Sequence, residues 1–135
     1  MIKDKSLCDQ VGEALSPELL KGQWKKDAQD NRYAGHCYIA SESLYHLVGG
    51  KNTGWIPCFL NNKKWPDELN KGETHWFIKN RETGEILDPT SKQFKKDIPY
   101  HKAIGCGFLT KKASNRAQII IDRVNGEKLP VDTFI

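Results

Sequence analysis

Long apolar runs and blocks of like charge are both missing from this sequence of 135 residues. No stretch approaches the roughly 20 apolar residues that a membrane-spanning helix needs, and the first residues lack the apolar core of a signal peptide. We therefore expect no membrane partner and a cytoplasmic location. The Lys and Arg residues come as scattered pairs interrupted by acids, so no segment has the composition of a charged interaction tail.

The net charge of +4 and the pI near 8.8 are modest. They are compatible with weak attraction to acidic surfaces, and weak, salt-sensitive binding to DNA would follow from charge alone. No basic block or nucleic-acid-binding motif accompanies them. We therefore expect no specific nucleic-acid partner.

Metal-binding spacings are also missing. The sequence has neither a Cys-x-x-Cys pair nor a His-x-x-x-His pair, which argues against a zinc site and leaves no cofactor to expect. In a reducing cytosol the four cysteines would remain thiols, each needing its own explanation. Cys8, Cys58 and Cys106 lack any partner pattern, and we interpret all three as structural thiols.

The length and the 38% hydrophobic content are enough for one core, so we expect a single domain over residues 1–135. The apolar spacing predicts helices toward both ends. The first helix is indicated by Leu7, Val11 and Leu15, and Ser16 followed by proline begins a second short helix. A loop over 27–35 leads into a helix over 37–48. The last helix begins after Ser114, and its apolar side consists of Ala117, Ile120, Ile121 and Val124.

Strand patterns occupy the middle of the chain. Segment 54–60 is rich in aromatic and branched residues, but Pro57 restricts it to an edge or bulged strand. Segments 74–78 and 85–88 form a predicted hairpin, and 104–109 is the last predicted strand. Helices and strands are thus segregated along the chain, which favours an α+β fold.

Cys37 is the most informative position, because it begins the predicted helix over 37–48. Unpaired N–H groups and the helix dipole favour a thiolate there, which is how a nucleophile is made. The alternative is a small buried residue at the start of an apolar stripe.

The hairpin supplies a base and an orienting group for that thiol. If the loop comprises residues 81–84, Asn80 pairs with Glu85 and Asp88 lies opposite Phe77, diagonal to His75. The two backbones are then roughly 7 to 8 Å apart, a distance that a His and an Asp side chain can bridge. Taken singly, His75 could be a surface histidine and Asp88 an Asp-Pro turn initiator.

Three short motifs resemble the core of transglutaminase-like enzymes within the papain-like superfamily. They are Gly-His-Cys-Tyr-Ile-Ala at 35–40, His-Trp-Phe-Ile at 75–78 and Gly-Glu-Ile-Leu-Asp-Pro-Thr at 84–90. The resemblance covers roughly residues 31–94. The chain is also similar to small phage and prophage proteins that carry Gly-His-Cys, His-Trp and Asp-Pro-Thr motifs and have no established activity.

The resemblance implies a papain-like core in which the nucleophile helix packs on a small antiparallel sheet. It implies a catalytic triad of Cys37, His75 and Asp88, with a side-chain amide before the cysteine, Asn31 or Gln29, completing the oxyanion hole. His36 is a candidate for tuning the thiol or contacting substrate, although an exposed turn histidine is the alternative. Trp76 is a candidate wall of the cleft.

Two functions follow as alternatives. The first is a thiol hydrolase or acyltransferase acting on an amide in a protein, a peptide or a small molecule: a protease, isopeptidase, amidase, deamidase or transglutaminase. The second is a non-catalytic, phage-encoded binding or inhibitor protein that contacts a host protein or nucleic acid. Reactivity of Cys37 distinguishes them.

Overall fold

The computed structural model describes residues 2–16, 36–69, 73–107 and 112–126. The helices are α1 (Ile2–Glu13), α2 (Cys37–Leu47) and α3 (Asn115–Gly126). The strands are β1 (Trp55–Asn61), β2 (Thr74–Asn80), β3 (Ile86–Leu87) and β4 (Ile104–Gly105). Short 3₁₀ helices lie at Gly50–Thr53, Ser91–Gln93 and Tyr100–Lys102. The α+β prediction is confirmed, with an antiparallel sheet in the order β3-β2-β1-β4.

Helix α1 forms where the sequence spacing predicts it. Val11 and Leu15 are buried, and Leu7 is partly buried against the same core. The short helix predicted from Ser16 and the loop predicted over 27–35 lie outside the described residues, apart from Ser16 itself.

Helix α2 begins at Cys37, as predicted, and buries the stripe that contains Ala40 and Leu44. It ends at Leu47, one residue short of the predicted end, and Gly49 then has a φ of +99°. A side chain at Gly49 would be strained in that left-handed conformation, and its Cβ would lie 2.7 Å from Thr53 Cγ2. The glycine therefore ends the helix for a conformational reason.

The hairpin of β2 and β3 has the predicted register. Ile78 lies opposite Leu87, and the N–H of Asn80 donates to the carbonyl of Glu85 at 2.8 Å. Gly84, with φ of +77°, closes the loop. Asp88 therefore leaves β3 on the same face as His75 and Phe77.

The prediction that 54–60 is an edge or bulged strand is wrong, because β1 pairs with β2 in an unbroken register on one side and with β4 on the other. Pro57 is tolerated there because of the side of β1 that its nitrogen faces. The carbonyl of Pro57 accepts from the N–H of Cys106 at 2.9 Å. A strand residue directs its nitrogen and carbonyl toward the same neighbour, so the missing N–H of Pro57 faces the chain just beyond β4. The pairing with β2 loses no hydrogen bond. Of the strand predicted over 104–109, β4 comprises Ile104 and Gly105, residues 106–107 are not in a strand, and residues 108–109 lie outside the described residues.

The core lies on both faces of the sheet. One cluster packs α1, α2 and α3 on the face that contains Trp55 and Ile78. The second lies on the opposite face around Leu60, Trp65 and Phe77. Helix α3 contributes Ala117, Ile120 and Val124 as predicted, whereas Ile121 is only half-buried. Within the described ranges, no helix has both the length and the apolar character to cross a membrane.

Candidate active site

Cys37 lies at the first position of α2, half-buried, next to the beginning of β2. Its Sγ donates to the carbonyl of Thr74 at 3.4 Å. The first hydrogen bond within the helix runs from the N–H of Ala40 to the carbonyl of His36 at 2.8 Å. The N–H of Cys37 therefore precedes the helical ladder, which is where a helix can stabilise negative charge.

The structure brings His75 and Asp88 together. His75 Nε2 donates to Asp88 Oδ2 at 2.6 Å, and the two side chains are 0% and 3% exposed. The hairpin register explains the contact, because the diagonal across β2 and β3 is short enough for these two side chains.

The imidazole of His75 also lies beside the thiol of Cys37. Burial lowers the pKa of His75, but hydrogen bonding to Asp88 and to Cys37, together with electrostatic interaction with both, raises it to about 9. Asp88 engages Nε2. The other ring nitrogen, Nδ1, is buried and has no hydrogen-bond partner in the part of the chain that the structure describes. The ring thus has one anchored nitrogen and one buried nitrogen without a hydrogen bond.

Asp88 is held by further donors that the sequence interpretation missed. The hydroxyl of Tyr100 donates to Oδ2 at 2.9 Å, and the N–H of Thr90 donates to Oδ1 at 3.2 Å. Burial and the negative charge of Asp88 raise the pKa of Tyr100 well above its usual range, so this hydroxyl remains a donor. The Thr90 contact gives the Asp-Pro-Thr motif a physical role, because the Asp side chain bonds the backbone two residues on.

Aromatic rings surround the imidazole. Phe94 meets His75 edge-on with ring centroids 4.7 Å apart, and the centroids of Phe77 and Trp65 lie at 6.1 and 6.5 Å. These rings keep water from the His75–Asp88 pair and so strengthen its electrostatic interaction. Neither Trp65 nor Phe94 is among the site residues that the sequence predicts.

The secondary candidates have different positions. His36 is fully buried and its Nε2 donates to the carbonyl of Ser16 at 2.8 Å, so the alternative of an exposed turn histidine is wrong. Trp76 is half-buried and packs edge-on against Tyr38, the residue after the thiol, with centroids 4.9 Å apart. Asn31 and Gln29 lie outside the described residues, so the oxyanion role of Asn31 stays a prediction.

The other thiols have environments that favour the neutral form. Burial, followed by the negative charge of Asp88, raises the pKa of Cys8 to about 12. Burial also raises the pKa of Cys58 and of Cys106. All four cysteines are free. Over the described ranges, no group of three or more His, Cys, Asp and Glu side chains could hold a metal ion.

The arrangement can move a proton between a thiol and an imidazole while a buried carboxylate stabilises the imidazolium. It assembles Cys37, His75 and Asp88 in the order that a thiol-based acyl transfer uses. Comparison with known proteins adds no relative, because no protein-family model, no curated protein and no solved structure matches the chain.

Proposed function

We propose that this protein is a cysteine-nucleophile enzyme that transfers the acyl group of an amide through Cys37, His75 and Asp88. One observation carries the proposal: a buried histidine is bonded through one ring nitrogen to a buried carboxylate, its other ring nitrogen is buried without a hydrogen-bond partner among the described residues, and a thiol at a helix start interacts with the ring. A histidine with a purely structural role does not require the combination of these three features. The papain-like core remains part of this proposal.

In the proposed reaction, the Cys37 thiolate attacks the carbonyl carbon and the C–N bond of the amide then breaks. His75 gives its proton to the leaving amine, and Asp88 keeps the ring oriented throughout. Water, deprotonated by His75, then attacks the thioester and regenerates the thiol. The N–H of Cys37 would stabilise the oxyanion, with Asn31 as the proposed second donor.

The raised pKa of His75 supports this assignment, because it favours an imidazolium beside Cys37 at neutral pH. A thiolate–imidazolium pair combines the attacking anion with the acid that the leaving amine needs. Since burial opposes the charged ring, its stabilisation must come from Asp88 and Cys37. The charge is therefore a property of the three residues as a unit.

The test is the rate at which iodoacetamide alkylates each cysteine of the folded protein, read by peptide mass spectrometry across pH 5 to 10. We expect Cys37 to react first, at least about tenfold faster than Cys106, which is also half-buried and serves as the matched thiol. His75→Ala should slow Cys37 and move its pH profile upward, and Asp88→Asn should do so by a smaller factor.

The binding-protein alternative predicts the opposite result. A binding or inhibitor protein needs no activated thiol, so Cys37 would react no faster than Cys106 and its profile would ignore His75→Ala. That outcome would contradict the proposal that the protein is an enzyme.

A further inference from the structure

A cavity of about 330 Å³ lies at the end of the sheet opposite to the nucleophile. It is bounded by the last turns of α2, the beginning of β1 and the chain that directly follows β2 and β4. We refer to it as the Trp55 cavity. The lining residues that matter for binding are Lys51, Trp55, Pro57, Arg81 and Cys106.

The Trp55 cavity is separate from the proposed active site. Trp55 begins β1, whereas Asn61 at the other end of β1 pairs with Thr74. Thr74 is the residue whose carbonyl accepts from Cys37 Sγ. Six residues of strand rise by about 20 Å, so a small ligand in the cavity does not reach the thiol. Binding in the cavity and reactivity of Cys37 can therefore be measured independently.

The floor of the cavity is apolar. Trp55 and Pro57 project from one face of β1, since they are two residues apart, and both are buried. Cys106 bounds the floor on the β4 side, where its N–H donates to the carbonyl of Pro57 at 2.9 Å. Burial raises the pKa of the Cys106 thiol, which keeps it neutral near pH 7. An apolar ring that enters the cavity is therefore removed from water without meeting a buried charge.

Two cations lie at the rim of the cavity. Lys51 and Arg81 are both exposed, and within the described ranges neither side chain forms an ion pair. Arg81 is positioned by its backbone, whose N–H donates to the carbonyl of Gly54 at 2.8 Å. None of the described residues that line the cavity is acidic, and Glu82, which follows Arg81, is not a lining residue. The rim therefore complements an anion, and the planar guanidinium suits a carboxylate.

We propose that the Trp55 cavity binds a small aromatic carboxylate, with its ring on the apolar floor and its carboxylate at Lys51 and Arg81. The volume is near the lower limit of small-molecule sites, which begin at about 300 Å³, so it suits a ligand of one or two rings. An inorganic anion would leave the floor unused, and a neutral aromatic compound would leave the cations unused. Binding of this ligand is independent of acyl transfer by Cys37.

The experiment uses Cys106 as the reporter for the cavity. The folded protein is alkylated with iodoacetamide at about pH 9, where more of the thiol is ionised, and labelling is read by peptide mass spectrometry. The probe is 2-naphthoate, and 2-naphthamide is its neutral counterpart of similar shape. At about ten times its Kd, 2-naphthoate should slow labelling of Cys106 roughly tenfold and leave that of Cys37 unchanged. The amide should need at least about fivefold higher concentrations for the same protection.

Variants assign the protection to the two cations. Lys51→Gln and Arg81→Gln should each raise the concentration of 2-naphthoate that gives half-protection by about twofold to fivefold, since each removes one exposed charge. The double variant should bind the acid and the amide equally. Lys64→Gln is the matched control, because it removes an exposed cation from the turn that follows β1, and it should leave the protection unchanged. All three side chains are exposed, so every variant should fold.

Each of the other outcomes would overturn the proposed site. Equal protection of the native protein by the acid and the amide would show that the cations select no anion. Stronger protection by adenosine monophosphate than by 2-naphthoate would assign the cavity to a nucleotide, and equal protection by inorganic phosphate would leave the apolar floor without a role. Slowing of Cys37 and Cys106 by the same factor would indicate a general effect on reactivity. Unchanged labelling of Cys106 at millimolar 2-naphthoate would show that the cavity does not take this class of ligand.

Discussion

At the scale of single residues, one carboxylate oxygen accepts hydrogen bonds from two side chains of the site. Asp88 Oδ2 accepts from both His75 and Tyr100, while Oδ1 accepts from the backbone at Thr90. A buried carboxylate is tolerated only when such donors compensate for its lost hydration. Tyr100 is therefore a positioning residue that acts on His75 through Asp88.

Tyr100→Phe isolates that role, because it removes only the hydroxyl. We expect the folded state to lose about 1.5–3 kcal/mol, the usual value of a hydrogen bond to a charged group. We also expect iodoacetamide labelling of Cys37 to slow severalfold, with its pH profile displaced. Tyr45→Phe removes a hydroxyl from the opposite end of α2 and should leave the profile unchanged. Identical pH profiles in the two variants would mean that Tyr100 has only a structural role.

The three residues of the proposed triad could be found from the sequence, whereas the residues that contact them could not. Cys37 was indicated by a helix start and His75 and Asp88 by a hairpin register, all of which are local patterns. Tyr100 and Phe94 belong to the segment after Asp88, where short 3₁₀ helices replace any regular period. Their approach to the imidazole depends on tertiary packing, which local patterns do not encode.

At the scale of elements, the same contrast holds between the hairpin and β1. Loop length and Gly84 determine the pairing of β2 with β3, so sequence alone could predict the register. Pro57 argued for an edge position, but the tolerance of β1 for proline depends on where β4 stops pairing. A partner distant in the sequence decides that, and no local rule could supply it.

Helix α2 is also held by hydrogen bonds between Glu42 and Ser114, the residue before α3. Glu42 is 1% exposed, and its carboxylate accepts from the N–H of Ser114 at 2.7 Å and from its hydroxyl at 2.8 Å. Ser114 Oγ in turn accepts from the N–H of Ala117 at 3.3 Å, so it caps α3 as predicted. The negative charge at the beginning of α3 also complements the helix dipole.

Glu42→Gln should weaken the hydrogen bonds to Ser114 while keeping a side chain of the same shape. We expect a loss of about 1–3 kcal/mol in the free energy of unfolding, measured by urea denaturation, because one acceptor and the charge are lost. Asp67→Asn, at an exposed carboxylate, is the control and should change the value by less than about 0.5 kcal/mol. Equal stability of the two variants would contradict a stabilising role for the Glu42–Ser114 contact.

At the scale of the whole molecule, His75 couples the site to folding, because this residue of β2 contacts both Asp88 and the second core cluster. The pKa of His75 rises from its ordinary 6.5 to about 9 in the folded protein. A group with a raised folded pKa stabilises the fold fully below the unfolded pKa, and this contribution disappears as pH rises through the folded pKa. Stability should therefore fall between pH 6.5 and pH 9.

The expected loss can be measured by urea denaturation at pH 6.5 and pH 8.5. A rise of that size corresponds to about 3 kcal/mol, of which about 2 kcal/mol should be lost by pH 8.5. This window lies below the region where the buried Cys8 contributes, since the unfolded thiol ionises near 9 and the folded one near 12. His75→Gln should be less stable than the native protein at pH 6.5 and should have a flatter dependence on pH. Parallel curves for the native protein and His75→Gln would show that the folded site binds no more protons than the unfolded chain over this range, and the raised pKa of His75 would then have to be abandoned.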